Sequence, residues 1–146
     1  MNDRHRFRGM RVDNGEWIGG YLIFNEHMGV KKYIIATTYA QIYANSHDVI
    51  PKTVGQCTGE KVKDKLIYDG DILKSYHYTD CDKKKHYLYH RVVWRDELSG
   101  WFCFNQENKT AKPTNGDCQL WVYMKNSTDI EIIGTIHEKK GAGDER

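Results

Sequence analysis

Apolar and polar side chains alternate with a period of two along most of this chain, in short segments bounded by Gly, Asn and Asp. Such a pattern gives each strand one apolar and one polar face, and it commits the sequence to a mostly β fold. Glu16 to Phe24 and Val30 to Thr38 are the first two predicted strands, joined as a hairpin across Asn25-Glu26-His27-Met28-Gly29. Tyr39 to Asn45 has room for a turn or two of helix and no more. Pro51 holds the residue before it in extended backbone and is read as the boundary between an N-terminal β-hairpin lobe, residues 1–50, and a second lobe, residues 51–138.

The second lobe reads as a succession of strands: Lys65 to Tyr68, Asp71 to Thr79, His86 to Arg95, Gly100 to Asn105, Leu120 to Lys125 and Asp129 to Ile136. Residues 74–91 form a predicted protruding hairpin within it. Asp96-Glu97-Leu98-Ser99-Gly100 connects two aromatic arms, with Gly100 suited to a positive φ. Along His86 to Arg95, Leu88, Val92 and Trp94 share the core parity, and His90 falls among them. Tyr87, Tyr89, Arg91 and Arg95 take the other face. In the last strand Ile130, Ile132 and Ile136 face one way, and Gly134 predicts a bulge or bend where a small barrel closes. Residues 139–146 are polar and Gly-containing and read as a flexible tail.

Charge and cysteine usage exclude several classes. Lys plus Arg number 22 and Asp plus Glu 20 in 146 residues, a net charge of +2, far from the excess of a protein held to nucleic acid by bulk charge. Four arginines and no apolar run among the first eleven residues are unlike a secretory signal, and no window resembles a membrane span. Cys57, Cys81, Cys103 and Cys118 contain no C-x-x-C pair, so free thiols in a reducing, cytoplasmic setting are expected. Ten Tyr and four Trp are more than a core of this size can bury, which predicts a homo-oligomer.

His77, Cys81, His86 and His90 are spaced as H-x3-C-x4-H-x3-H, ligand types that zinc accepts. On a strand, however, His86 and His90 stand about 13 Å apart, so the strand reading assigns no metal. The same hairpin holds Lys74, Lys83, Lys84, Lys85 and Arg91 beside Tyr76, Tyr78, Tyr87 and Tyr89. Lysines that meet phosphates next to rings that stack on bases are the design of a single-strand binder. Asp80 and Asp82 flank the run and weaken that reading. Asp69 with Asp71, and Asp96 with Glu97, sit at turns where carboxylates cap backbone N–H groups, and no nucleophile elbow or phosphate loop is present. Neither a catalytic centre nor a cofactor site follows.

Phe7-Arg8-Gly9-Met10-Arg11, Glu16-Trp17-Ile18-Gly19-Gly20-Tyr21, Val54-Gly55-Gln56-Cys57-Thr58-Gly59, Ile67-Tyr68-Asp69-Gly70-Asp71-Ile72 and Ile132-Ile133-Gly134-Thr135-Ile136 resemble, in order and spacing, the YopX family of phage and prophage proteins. The resemblance implies a mostly β protein with an SH3-like small barrel, of unassigned activity, and supplies no catalytic residues. Within it Gln56, Thr58, Gly59, Tyr68, Gly70, Asp71 and Gly134 are read as structural. Lys61-Val62-Lys63-Asp64-Lys65 lacks the glycine common between the two central motifs, so the turn uses Asp64 or a type I geometry. The expectation is a non-catalytic module that binds itself or another protein. The alternative is a nucleic-acid-binding SH3-like module using Lys83, Lys84, Lys85 and Arg91.

Overall fold

Strand β2, Trp17–His27, changes partner half-way along its length. Its first part pairs with β1, Phe7–Met10, and from Tyr21 onward it pairs with β3, Val30–Ala36. The computed structural model describes residues 3–38, 45–106 and 117–137, and the chain divides into two compact units, Met1–Glu60 and Lys61–Arg146. The division falls beyond Pro51, because β5, which begins at Gly55, still pairs with β1 through Phe7 and Arg8. In the first unit β4, Ser46–Val49, lies on the outer side of β3, which gives the order β4-β3-β2-β1-β5.

Close backbone approach decides two positions there. Gly20 is the last residue of β2 paired with β1, and a Cβ on it would fall well inside contact distance of the Ala36 carbonyl oxygen and 3.0 Å from its carbon. A Cβ on Gly9 would lie 2.9 Å from that of Val49. The β2–β3 connection is tighter than the five residues expected. Asn25, Glu26 and His27 pair with Lys32, Lys31 and Val30, and the chain reverses through Met28 and Gly29 alone, with φ of 51° and 80°. Two left-handed residues make the turn whose twist matches that of the flanking strands.

Strand β5 runs on to Val62, and a second two-residue turn leads into β6, Lys65–Tyr68. Lys63 and Asp64 both have positive φ, 49° and 67°, so the missing glycine is replaced by two side-chain-bearing residues in the left-handed region rather than by a type I turn. Left-handed backbone strains residues with a Cβ, least so Asn and Asp. Lys63→Asn with Asp64→Gly is therefore expected to raise unfolding stability by about 1 kcal/mol. Denaturant melts of the two chains check this, and an unchanged midpoint would show that the turn carries no strain.

The second unit holds a five-stranded sheet in the order β10-β9-β8-β7-β11: β7 is Asp71–Thr79, β8 Lys85–Arg95, β9 Gly100–Asn105, β10 Cys118–Gln119 and β11 Glu131–Thr135. All its pairings are antiparallel. The expected closed barrel is not formed among the described residues, since β10 and β11 end the sheet unpaired with each other. Its cause is Leu120 to Lys125, predicted as a strand, which instead belongs to helix α1, Leu120–Asn126. Leu120 and Tyr123 are buried and Met124 half-buried, a spacing of three and four that only a helix turns to one side. With Val62, Ile67, Leu73, Val92 and Cys103 these residues form the unit's core, against which Trp101, Cys118, Ile130 and Ile132 pack.

Three local expectations meet the structure differently. The register shifts between Ile132 and Gly134, which is the bulge read from Gly134. Trp94, placed in the core by parity, is 45% exposed; it meets Trp101 edge-on at 5.3 Å and its Nε1–H donates to Asp96 at 2.6 Å. Its cross-strand partner Trp101 is the ring that packs against the core, and Trp94 lies outside it with its polar tip hydrogen-bonded. Gly100 does not take the left-handed conformation; Ser99 does, at φ 49°, closing the 3-10 turn Asp96–Leu98. Residues 39–44 of the predicted helical turn and the tail 139–146 lie outside the described residues.

Candidate interaction surface

The β7–β8 hairpin is organised at its tip by one carboxylate. Asp80 Oδ1 accepts the N–H groups of Asp82 and Lys84 at 2.9 and 3.0 Å, while Oδ2 meets His86 Nε2 at 2.9 Å. The hydrogen bond from His86 and those from the two backbone groups hold the Asp80 carboxyl below its ordinary range. His86 in turn stacks on Tyr78 at 4.5 Å with the rings 7° from parallel. The sequence Asp-x-x-Lys-Lys-Lys is thus a turn in which the acid orders the backbone that presents the lysines, and Lys83 takes φ 63°.

Lys83, Lys84 and Lys85 are all exposed at this tip, next to Tyr78. Arg91 is not with them. It lies six residues further along β8, about 20 Å away at strand rise, with its guanidinium 5.3 Å from the Phe104 ring and a hydrogen bond to the Asn105 carbonyl oxygen. Lys74 is placed over Tyr87 at 4.1 Å, so this cation and this ring serve each other. Of the four potential zinc ligands, His77 and His86 both lie against Tyr78, the first edge-on and the second stacked and also on Asp80, while Cys81 is exposed and His90 is buried beside Tyr123 at 5.0 Å.

A groove of about 330 Å³ opens on the same sheet, lined by Ile72, Tyr87, Leu88, Tyr89, Asn105, Gln106 and Ile133. Tyr89 is 42% and Ile133 47% exposed, so the groove has aromatic and aliphatic walls open to solvent. It lies beside β11, whose other edge is unpaired among the described residues. The hairpin tyrosines are legible from alternation, but Ile72, Ile133, Asn105 and Gln106 are not singled out by it. Ile133 is the off-parity isoleucine of its strand, and that oddity is the signal that could have marked it.

Of the motif residues, Gln56, Thr58 and Gly59 lie within β5 rather than in the turn expected there, Tyr68 ends β6, Gly70 is in the turn that follows, Asp71 begins β7 and Gly134 lies within β11. Gln56 Nε2 donates to the Arg4 carbonyl oxygen at 2.7 Å. Thr58 is buried and its Oγ1 accepts the Glu60 N–H at 3.1 Å across Gly59, whose φ is 90°. The Tyr68 N–H donates to Oδ2 of the buried Asp71 at 2.8 Å. Gly70, at φ 89°, donates its N–H to the Val92 carbonyl at 2.7 Å and accepts from Ile136 at 2.9 Å. Gly134 pairs with Ile72 on the far side of the bulge.

Fold and surface together define a mostly β protein of two antiparallel sheets with a lysine-tipped, aromatic hairpin. The family model described as YopX protein matches residues 6–140, nearly the whole chain, and the chain belongs to the YopX family. No curated protein and no solved structure matches it. Among the described residues no helix is long and apolar enough to cross a membrane.

Proposed function

We propose that the protein is a phage- or prophage-derived, non-catalytic β module that works by protein contact, first with a second copy of itself. The observation that carries the reading is the groove of Ile72, Tyr87, Tyr89 and Ile133 beside the edge of β11 that is open among the described residues. An exposed apolar surface next to unpaired backbone N–H and C=O groups takes an added strand, with the backbone supplying hydrogen bonds and the groove supplying side-chain pockets. A cytoplasmic location goes with the four free thiols expected of a reducing compartment.

Light scattering on the wild-type chain is expected to give twice the 17.1 kDa chain mass at high protein concentration. Tyr89→Glu with Ile133→Lys should return it to one chain mass with the fold intact. A monomer at every concentration would overturn self-assembly. Should that monomer also bind single-stranded DNA with a steep salt dependence, lost when Lys83, Lys84 and Lys85 become Ala, the nucleic-acid reading replaces this one.

A further inference from the structure

We propose that Cys103 and Cys118 form an oxidation site, at which a small disulfide of the glutathione class is reduced and an intramolecular Cys103–Cys118 bridge is made. Both are free thiols in the structure, and they are direct partners in the antiparallel β9–β10 ladder. Gln119 opposite Phe102, and the Asn105 N–H donated to Asp117 Oδ1 at 2.7 Å, hold the two strands in that register. Both side chains pack on the same core, Cys103 within it and Cys118 against it. Opposite residues of such a ladder have Cα atoms about 4.5 to 5.5 Å apart, within the roughly 4.4 to 6.8 Å that a disulfide spans.

Access is asymmetric. Cys103 is buried, whereas Cys118 is partly exposed and lines a cleft of about 390 Å³ between the β7–β8 sheet and α1, with Ser75, His90 and Tyr123 on its walls. The oxidant therefore meets Cys118 first. The Cys118 thiolate attacks one sulfur of the oxidant, whose S–S bond breaks and releases one glutathione thiolate. Cys103 then loses its proton and attacks Cys118 Sγ, which expels the second glutathione. Two electrons pass from the cysteine pair to the oxidant, and the two cysteine protons leave on two glutathione thiols. Burial pushes both thiols above their ordinary range, more strongly at Cys103, so the thiolate is scarce near neutrality and the reaction speeds up as pH rises. The product staples β10 to β9 two residues before α1 begins at Leu120.

The test is incubation of the full chain with glutathione disulfide, followed by thiol counting and peptide mapping under non-reducing conditions. Cys81→Ser removes the exposed hairpin thiol as a competing target. In that background two of the three remaining thiols are expected to disappear, with a Cys103–Cys118 peptide, no retained glutathione and a faster rate at pH 8.5 than at pH 7. Cys118→Ser in the same background should leave Cys103 free. Retention of all three thiols under conditions that oxidise a control dithiol peptide would overturn the proposal. So would a stable glutathione adduct on Cys118 beside a free Cys103, or a bridge that includes Cys57.

Discussion

Gly20→Ala is expected to lower the stability of the chain by about 3 kcal/mol or more, the upper end of what overpacking a well-packed site costs. The added methyl group meets backbone, not a movable side chain: the Ala36 carbonyl lies on it and the Thr37 Cα stands 3.2 Å away. Relief requires β2 and β3 to part at the place where β2 passes from β1 to β3, so pairings on both sides feel the change. Thermal unfolding followed by circular dichroism should show a midpoint about 10 °C below wild type. Gly100→Ala is the control, because its new methyl group would sit at an ordinary 3.7 Å from the Leu98 carbonyl oxygen. A Gly20→Ala midpoint equal to that of the control would mean the strands separate at no cost.

Gly70→Val should cost about 3 kcal/mol, the range for a residue forced into backbone that its side chain opposes. At φ 89° a β-branched residue is strained whatever the space around it, and the space is also limited, with Ile136 Cγ1 3.3 Å from the new Cβ. Both backbone hydrogen bonds of Gly70, to Val92 and from Ile136, depend on that conformation. Asp71→Asn should be the milder change, since an amide oxygen can still accept the Tyr68 N–H. Guanidinium unfolding of the two variants checks the order. If Gly70→Val unfolds at the wild-type midpoint, the turn is soft and its glycine has another reason.

How much of this is legible in the sequence depends on whether a residue's surroundings are local. Alternation finds β2, β3 and β6 to β9, and Gly134 marks its bulge, because period and turn chemistry act over a few neighbours, whereas β1, β4 and β5 are not among the predicted strands. Leu120-Trp121-Val122-Tyr123-Met124 is apolar at every position, so neither period is visible and only the core that accepts Leu120 and Tyr123 decides for a helix. The left-handed turns at Met28, Lys63 and Ser99 escape for a related reason: strand twist imposes the conformation on residues that do not advertise it. At the candidate surface, the lysines and tyrosines of the hairpin are readable as types. That Arg91 turns to Phe104 and Ile133 opens onto the groove are consequences of register, which single residues do not reveal.

The strand order of the second sheet also sets a sequence of events in time. β7, β8 and β9 are consecutive in the chain and joined by short turns, so their hairpins close quickly, on the scale of microseconds. β11 must return to lie against β7, Glu131 opposite Lys74 and Thr135 opposite Asp71, and the entropy of closing a loop grows with the length enclosed. Its docking therefore comes after the hairpins, and until then the outer edge of β7 stands open during every folding event. In the finished sheet β11 and the two-residue β10 each have a strand neighbour on one side only, so amide exchange should be faster at these edges than in β8, the central strand.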